Sequence, residues 1–171
     1  NDKFASEGLR VLAFAYKKLD IGQKSIIEKE EAEKDLIFLG ITGMIDPHRA
    51  EVPAAVKECK KAGIKIFMIT GDYGLTARAI AYNIGLIDKL DNCNIVNGME
   101  LSAMEDSQLK KFLASDKPVI FSRMEPIQKM RIATCAKEMG EVVAVTGDGV
   151  NDAIALKSAD IGIAMGNDAS A

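Results

Sequence analysis

The chain is poor in the residues that build metal clusters and disulfide frameworks. Cysteine occurs three times and histidine once in 171 residues. Cys59, Cys93 and Cys135 are far apart, odd in number and form no C-x-x-C, so neither a zinc knuckle nor a disulfide scaffold follows from them. They read as thiols packed against helices in a reduced, cytosolic setting. His48 follows Pro47 in a turn and reads as a hinge residue, not a base or a ligand. No basic block stands out and the net charge is -3, so the chain lacks the electrostatic footprint of a nucleic-acid binder. The longest apolar stretches, such as Leu36 to Ile45, are too short to cross a bilayer. No charged-then-apolar signal segment opens the chain, and no internal repeat or low-complexity tract occurs.

What is present suits one sizeable α/β core. Hydrophobic residues make up 48% and charged residues 27%, as in soluble globular domains. Residues 9–16 fit a strand or a helix by pattern alone. A Glu/Lys-rich stretch from Lys17 to Lys34 reads as a solvated loop or a poorly ordered turn. Leu36 to Ile45 reads as a buried strand, closed sharply by Asp46-Pro47. From there, apolar strands and amphipathic helices alternate. Strands are expected at 64–69, 95–96, 119–121, 142–145 and 161–164. Helices are expected at 52–62, 76–84, 106–113, 126–139 and 152–157. This alternation predicts an α/β fold, a Rossmann-like parallel sheet with helices on both faces, joined by right-handed crossovers.

In such a sheet, ligands bind at the carboxyl ends of the strands. Three polar groups fall there: Thr70-Gly71-Asp72, Ser122-Arg123, and the run Thr146 to Asp152. All three should face one crevice. Thr70 offers a hydroxyl, and Gly71 lets its N–H approach an anion closely. Lys129, on the helix after Arg123, can bring an ammonium to the same phosphate. Asp148 is a natural carboxylate ligand for hydrated Mg²⁺. Asn151 and Asp152, at a helix start, can cap it, hydrogen-bond around the phosphate, or orient Lys129. Each piece alone has a plain structural reading: a turn, a cap, a surface lysine. Their succession at strand ends points to phosphoryl chemistry, which needs mainly positioning and charge stabilisation.

These residues resemble the phosphorylation domain of P-type cation-transporting ATPases, in the haloacid-dehalogenase-like superfamily. Gly43-Met44-Ile45-Asp46-Pro47-His48-Arg49 is similar to the family's G-M-x-D-P-P-R hinge. Met68-Ile69-Thr70-Gly71-Asp72 with Thr76-Ala77 is similar to its M-I-T-G-D…T-A element. Ser122-Arg123-Met124-Glu125-Pro126 with Lys129 is similar to its A/S-R-x-x-P-x-x-K element. Thr146 to Asp152, followed by Ala153 and by Ala159 to Gly166, resembles its most recognisable signature. The style is nearest the branch of calcium and sodium/potassium pumps. Three departures stand out: His48 for the second hinge proline, Ile154 for a common proline, and Tyr73 where His or Asn is common.

The resemblance implies roles residue by residue. Asp148 would ligate Mg²⁺, with Asn151 and Asp152 completing the phosphate network. Thr70 and Gly71 would contact the transferred phosphoryl group, and Lys129 would neutralise it. Arg123 would reach the ribose of ATP. Arg10 would meet its phosphates and Leu12 its adenine. Asp46 and Arg49 would belong to the hinge and touch nucleotide, and Asp72 would stand with this cofactor-binding set. The implied division is 1–45 as the tail of a nucleotide-binding domain, 46–49 as hinge, and 50–171 as the C-terminal part of the phosphorylation domain.

Equally telling is what the family requires and these residues lack. D-K-T-G-T, whose Asp is phosphorylated, is nowhere in the sequence, and neither is the D-x-D of a soluble phosphatase. The implied sheet is therefore incomplete, without its nucleophile strand. The expected reading is a soluble piece of an ATP-driven pump on the cytoplasmic side of a membrane. Its partners would be ATP and the actuator, membrane and nucleophile-bearing parts of the parent, with self-association through exposed sheet edges. The piece alone is expected to be inactive. The alternatives are a stand-alone phosphatase of the same superfamily and a non-catalytic phosphate- or nucleotide-binding module.

Overall fold

The computed structural model describes residues 1–18, 28–45, 47–147 and 152–165. The hydrophobic centre lies around β5 (Val119–Ser122), the middle strand of a parallel sheet. Its neighbours are β3 (Met68–Ile69) and β4 (Asn94–Asn97). Val119, Ile120 and Phe121 are fully buried, as expected of a short apolar run covered on both sides. Side chains alternate across the strand. Ile120 packs with Val56 of α3 (Val52–Lys61) and Ala77 and Ala81 of α4 (Gly74–Asn83). Val119 and Phe121 face the other layer, built from α5 (Gly98–Ala103), α6 (Asp106–Ala114) and α7 (Pro126–Glu138). Leu101, Leu109, Ile132 and Cys135 fill that layer. Burying a side chain the size of Leu or Phe contributes about 1.5–3 kcal/mol. The expected parallel sheet with helices on both faces is thus borne out here.

A second parallel pair follows: β6 (Ala144–Gly147) beside β7 (Ile161–Ala164), joined by α8 (Ala153–Ser158). Val143, which leads into β6, packs on the same cluster as Phe67 and Ile69 beside β3. α7 therefore backs both parallel units. Among the described residues, β3 pairs only with β5, and β6 only with β7. Each keeps one open edge. The single expected sheet is present as two parallel pieces.

The N-terminal segment is separate in kind. After α1 (Asp2–Ser6), β1 (Arg10–Tyr16) pairs antiparallel with β2 (Ile37–Met44). Of residues 9–16, open to either reading by pattern, Arg10–Tyr16 are strand. The buried strand expected at Leu36 to Ile45 is corrected: it is a strand, but Phe38 and Leu39 are 66% and 72% exposed. A two-stranded ribbon has no second layer to cover its faces, so an apolar run here does not become a core. The stretch expected to be all loop contains a short helix, α2 (Lys29–Ala32), with residues 19–27 outside the described set. Among the described residues, no helix is long and apolar enough to cross a membrane.

Candidate functional site

Thr70 and its neighbours leave the carboxyl end of β3 and are fastened to the loop after β5. The Thr70 amide donates to the Phe121 carbonyl at 2.9 Å, Met124 N–H to the Thr70 carbonyl at 3.0 Å, and Arg123 N–H to the Asp72 carbonyl at 3.0 Å. The Thr70 hydroxyl accepts from the Asp72 amide and donates to Asp72 Oδ2, both at 3.1 Å. That is a hydroxyl-closed turn, in which Thr and Asp hold a loop that glycine then leaves open. A Cβ added at Gly71 would meet nothing within 4 Å, so the peptide beside it is free to be approached by an anion.

This loop forms one wall of a 470 Å³ cavity. Arg10 and Val11 of β1, Ala5 of α1, and Gly71, Asp72, Tyr73 and Arg123 line it. Four of the expected site residues, Arg10, Gly71, Asp72 and Arg123, therefore meet in one place although the sequence separates them widely. Thr76, buried on α4, donates to the Leu9 carbonyl at 3.2 Å and ties the start of β1 to the sheet layer.

Two other expected site residues, Lys129 and Asp152, meet each other and do not line this cavity. Lys129 Nζ lies 2.7 Å from Asp152 Oδ1, with side chains only 17% and 16% exposed. Three uses of Asp152 were open from sequence. It makes no side-chain capping bond to α8, and accepts from Lys129 instead. The pair spans from α7, behind the first sheet, to the start of α8, behind the second. Gly147 makes this possible: a Cβ there would come within 2.5 Å of Asp152 Cβ.

α7 itself is rigidly held. Gln128 accepts from the Glu125 amide, closing a capping box, and donates to the Gly98 carbonyl at 2.7 Å and Ser102 Oγ at 2.8 Å. Arg131 donates to Asp106 at 2.8 Å and to the carbonyls of Leu101 and Met104. The Arg131 hydrogen bond holds the Asp106 carboxyl below its ordinary value. Further along, the Val143 amide and then Lys137 do the same for Asp160. Burial pushes the Cys135 thiol up, which fits its reading as a packed, unreactive group.

Leu12 and Arg49 are exposed and stand apart from this cavity. Asp46, Asp148 and Asn151 lie outside the described residues. Among the described residues no cluster of three His, Cys, Asp or Glu side chains forms a metal site. The oxygens of Thr70 and Asp72 bond each other, and that of Asp152 pairs with Lys129; the expected Mg²⁺ ligand, Asp148, is outside the described residues. Sequence reasoning left out Tyr73, Gln128, Arg131 and Gly147 as contributors. The Glu125-Pro126-x-Gln128 capping box was the readable signal for one of them; the others needed the tertiary neighbours.

Comparison with known proteins agrees with this fold. A family model for haloacid dehalogenase-like hydrolases matches residues 9–160. A calcium-transporting ATPase of Listeria monocytogenes is 45% identical over 98% of this chain and 18% of its own length. A calcium-transporting ATPase of Bacillus subtilis is 44% identical over 95% of the chain and 18% of its own length. The sodium/potassium-transporting ATPase alpha subunit of Hydra vulgaris is 38% identical over 96% and 19%. The chain thus spans about a fifth of the length of these curated relatives. Its parallel α/β layers, its strand-end loops and a match over most of its length place the chain in the haloacid dehalogenase-like hydrolase family.

Proposed function

We propose that this chain is the phosphate-handling part of an ATP-driven cation pump that works through an aspartyl-phosphate. The observation that carries the reading is that β3 and β6 each keep an unpaired edge among the described residues, with Thr70 following β3 and Gly147 ending β6 and leading in sequence to Asp148. The Lys129–Asp152 pair ties α7 to the start of α8. In this proposal a parallel strand carrying the phosphorylated carboxylate pairs with one of these open edges. The names of the relatives, and the fraction of their length that this chain spans, support the same reading.

In this proposal Asp148 holds Mg²⁺, which would supply charge neutralisation at the phosphoryl oxygens when bound. Thr70 and Gly71 contact the phosphoryl group, Lys129 neutralises it, and Asn151 and Asp152 fix the network. Arg10 and Arg123, with Asp72 beside them, meet ATP in the cavity; Leu12, Asp46 and Arg49 complete the nucleotide side. The antiparallel β1–β2 ribbon belongs to a nucleotide-binding domain (1–45), residues 46–49 to the hinge, and 50–171 to the phosphorylation domain. The parent pump holds this part on the cytoplasmic face of its membrane.

Covalent catalysis needs the nucleophile, so the chain alone is expected to take up no acyl-phosphate. Incubation with γ-labelled ATP and Mg²⁺, followed by acid quench and hydroxylamine treatment, tests this. Hydroxylamine-sensitive label on the chain would overturn the proposed division of labour. Mg²⁺ affinity is expected to fall in Asp148→Ala, and equal affinity in the two proteins would remove Asp148 from the site. A free-standing phosphatase is the weaker reading because the relatives at 38–45% identity are named as calcium- and sodium/potassium-transporting ATPases.

A further inference from the structure

Arg123 has a backbone conformation that an L residue adopts only under constraint. Its φ is +52°, in the left-handed region that disfavours a Cβ. Its surroundings enforce this from several sides. Its amide donates to the Asp72 carbonyl at 3.0 Å, and the next amide, of Met124, donates to the Thr70 carbonyl at 3.0 Å. Its own carbonyl packs where a Cβ on Gly98 would sit. The backbone is thereby turned so that the guanidinium lies over the ring of Tyr73, 5.3 Å from its centroid.

Tyr73 occupies the N-cap position of α4 and supplies no side-chain cap. A Ser, Asp or Asn at that position would serve the helix better. Its ring is 37% exposed and borders both the 470 Å³ cavity and a second, 870 Å³ cavity beside β4. Neither helix capping nor core packing explains an aromatic ring here; its hydroxyl donates a long, 3.5 Å hydrogen bond to Asp2, and the partner of its ring face is Arg123.

We propose that Tyr73 is a positioning residue that holds the Arg123 guanidinium at the rim of the nucleotide cavity. The ring attracts the cation through its face and leaves the guanidinium N–H groups directed outward, free for a sugar hydroxyl or phosphate oxygen. A flexible arginine would otherwise lose side-chain freedom on binding; stacked on Tyr73, it has already lost it. Arg10 on the same cavity supplies a second cation, so the chemistry recognised is that of an anionic nucleotide. The inference rests on the nucleotide reading given under Proposed function.

The test is an NMR titration of the full chain with ATP and Mg²⁺, using Tyr73→Leu, Tyr73→Phe, Arg123→Leu and the Tyr73→Leu/Arg123→Leu double variant. Tyr73→Leu is expected to weaken ATP binding about two- to fivefold. Tyr73→Phe should restore wild-type affinity, and the double variant should bind no more weakly than Arg123→Leu alone. Without ATP, the Arg123 Nε–H resonance should carry a ring-current shift that Tyr73→Leu abolishes and Tyr73→Phe retains. A structural effect of the leucine would not produce this pairing of coupling and spectral signature. Losses that add in the double variant, or an unshifted Nε–H in the wild type, would overturn the positioning role. So would undiminished ATP affinity in Tyr73→Leu when Arg123→Leu binds weakly. Unaltered ATP affinity in Arg123→Leu would instead overturn the nucleotide role of Arg123, and the inference with it.

Discussion

Replacing Asp152 by alanine probes the link between the two parallel units. The carboxylate and the Lys129 ammonium are 2.7 Å apart, and each side chain is more than four-fifths out of solvent. At an effective dielectric near 20, their gross attraction is about 6 kcal/mol, most of it offset by desolvation. The cost of Asp152→Ala is therefore set by what is left behind: an ammonium held on α7 with no counter-charge. Full burial would make that about 3–5 kcal/mol. Lys129 can bend its flexible stem toward water through its exposed sixth, which lowers the expectation to about 2–3 kcal/mol. For a chain of this length that is a fall in Tm of about 4–12 °C. Urea unfolding should show a lower midpoint with an unchanged slope. Lys129→Met should cost less, because Asp152 can then turn to cap α8. The double variant should be more stable than the sum of the single losses by about 1–2 kcal/mol. Because the pair is mostly screened from solvent, added salt should alter these differences little. A loss below about 0.5 kcal/mol for Asp152→Ala, in the range of exposed pairs, would refute the reasoning, as would strict additivity.

Two further predictions follow from neighbouring contacts. Gly147→Ala places a methyl within 2.5 Å of Asp152 Cβ, and should cost about 1–3 kcal/mol by displacing Asp152; in an Asp152→Ala background most of that loss should vanish, as paired urea melts would reveal. Asp160 and Asp106 both have carboxyls held below the ordinary 3.8, so the stability each lends is present above that value and disappears as pH falls through the depressed folded value. Asp160→Asn should therefore lower stability at pH 7 and flatten the acid limb below about pH 4, measured as Tm against pH; an acid limb as steep as the wild type's would count against the Val143 and Lys137 interactions.

Much of the chain's character is local and was readable without coordinates. Apolar runs such as Val119–Phe121, flanked by Pro118 and by polar residues, specify short buried strands because nothing else satisfies both backbone and side chains. α7 begins at Pro126 and is closed by Gln128, three residues beyond its cap; α3 stops before Gly63, whose φ of +73° other residues resist. The strand-end placement of Thr70, Arg123 and Gly147 follows from the same alternation. What required the tertiary structure was everything that depends on neighbours distant in sequence. The exposure of Phe38 and Leu39 depends on whether a second layer covers β2, which hydrophobicity alone does not encode. Asp152 had three possible partners, and the choice of Lys129 arose from α7 lying behind both parallel units. Tyr73 looked like a substitution without a role until the Arg123 backbone, turned by Asp72, Thr70 and Gly98, laid a guanidinium across its ring. Short-range stereochemistry and side-chain period therefore determined the elements and their order. Long-range packing decided which polar groups met, because a charge finds its counter-charge only after the helices and strands carrying them have been brought together.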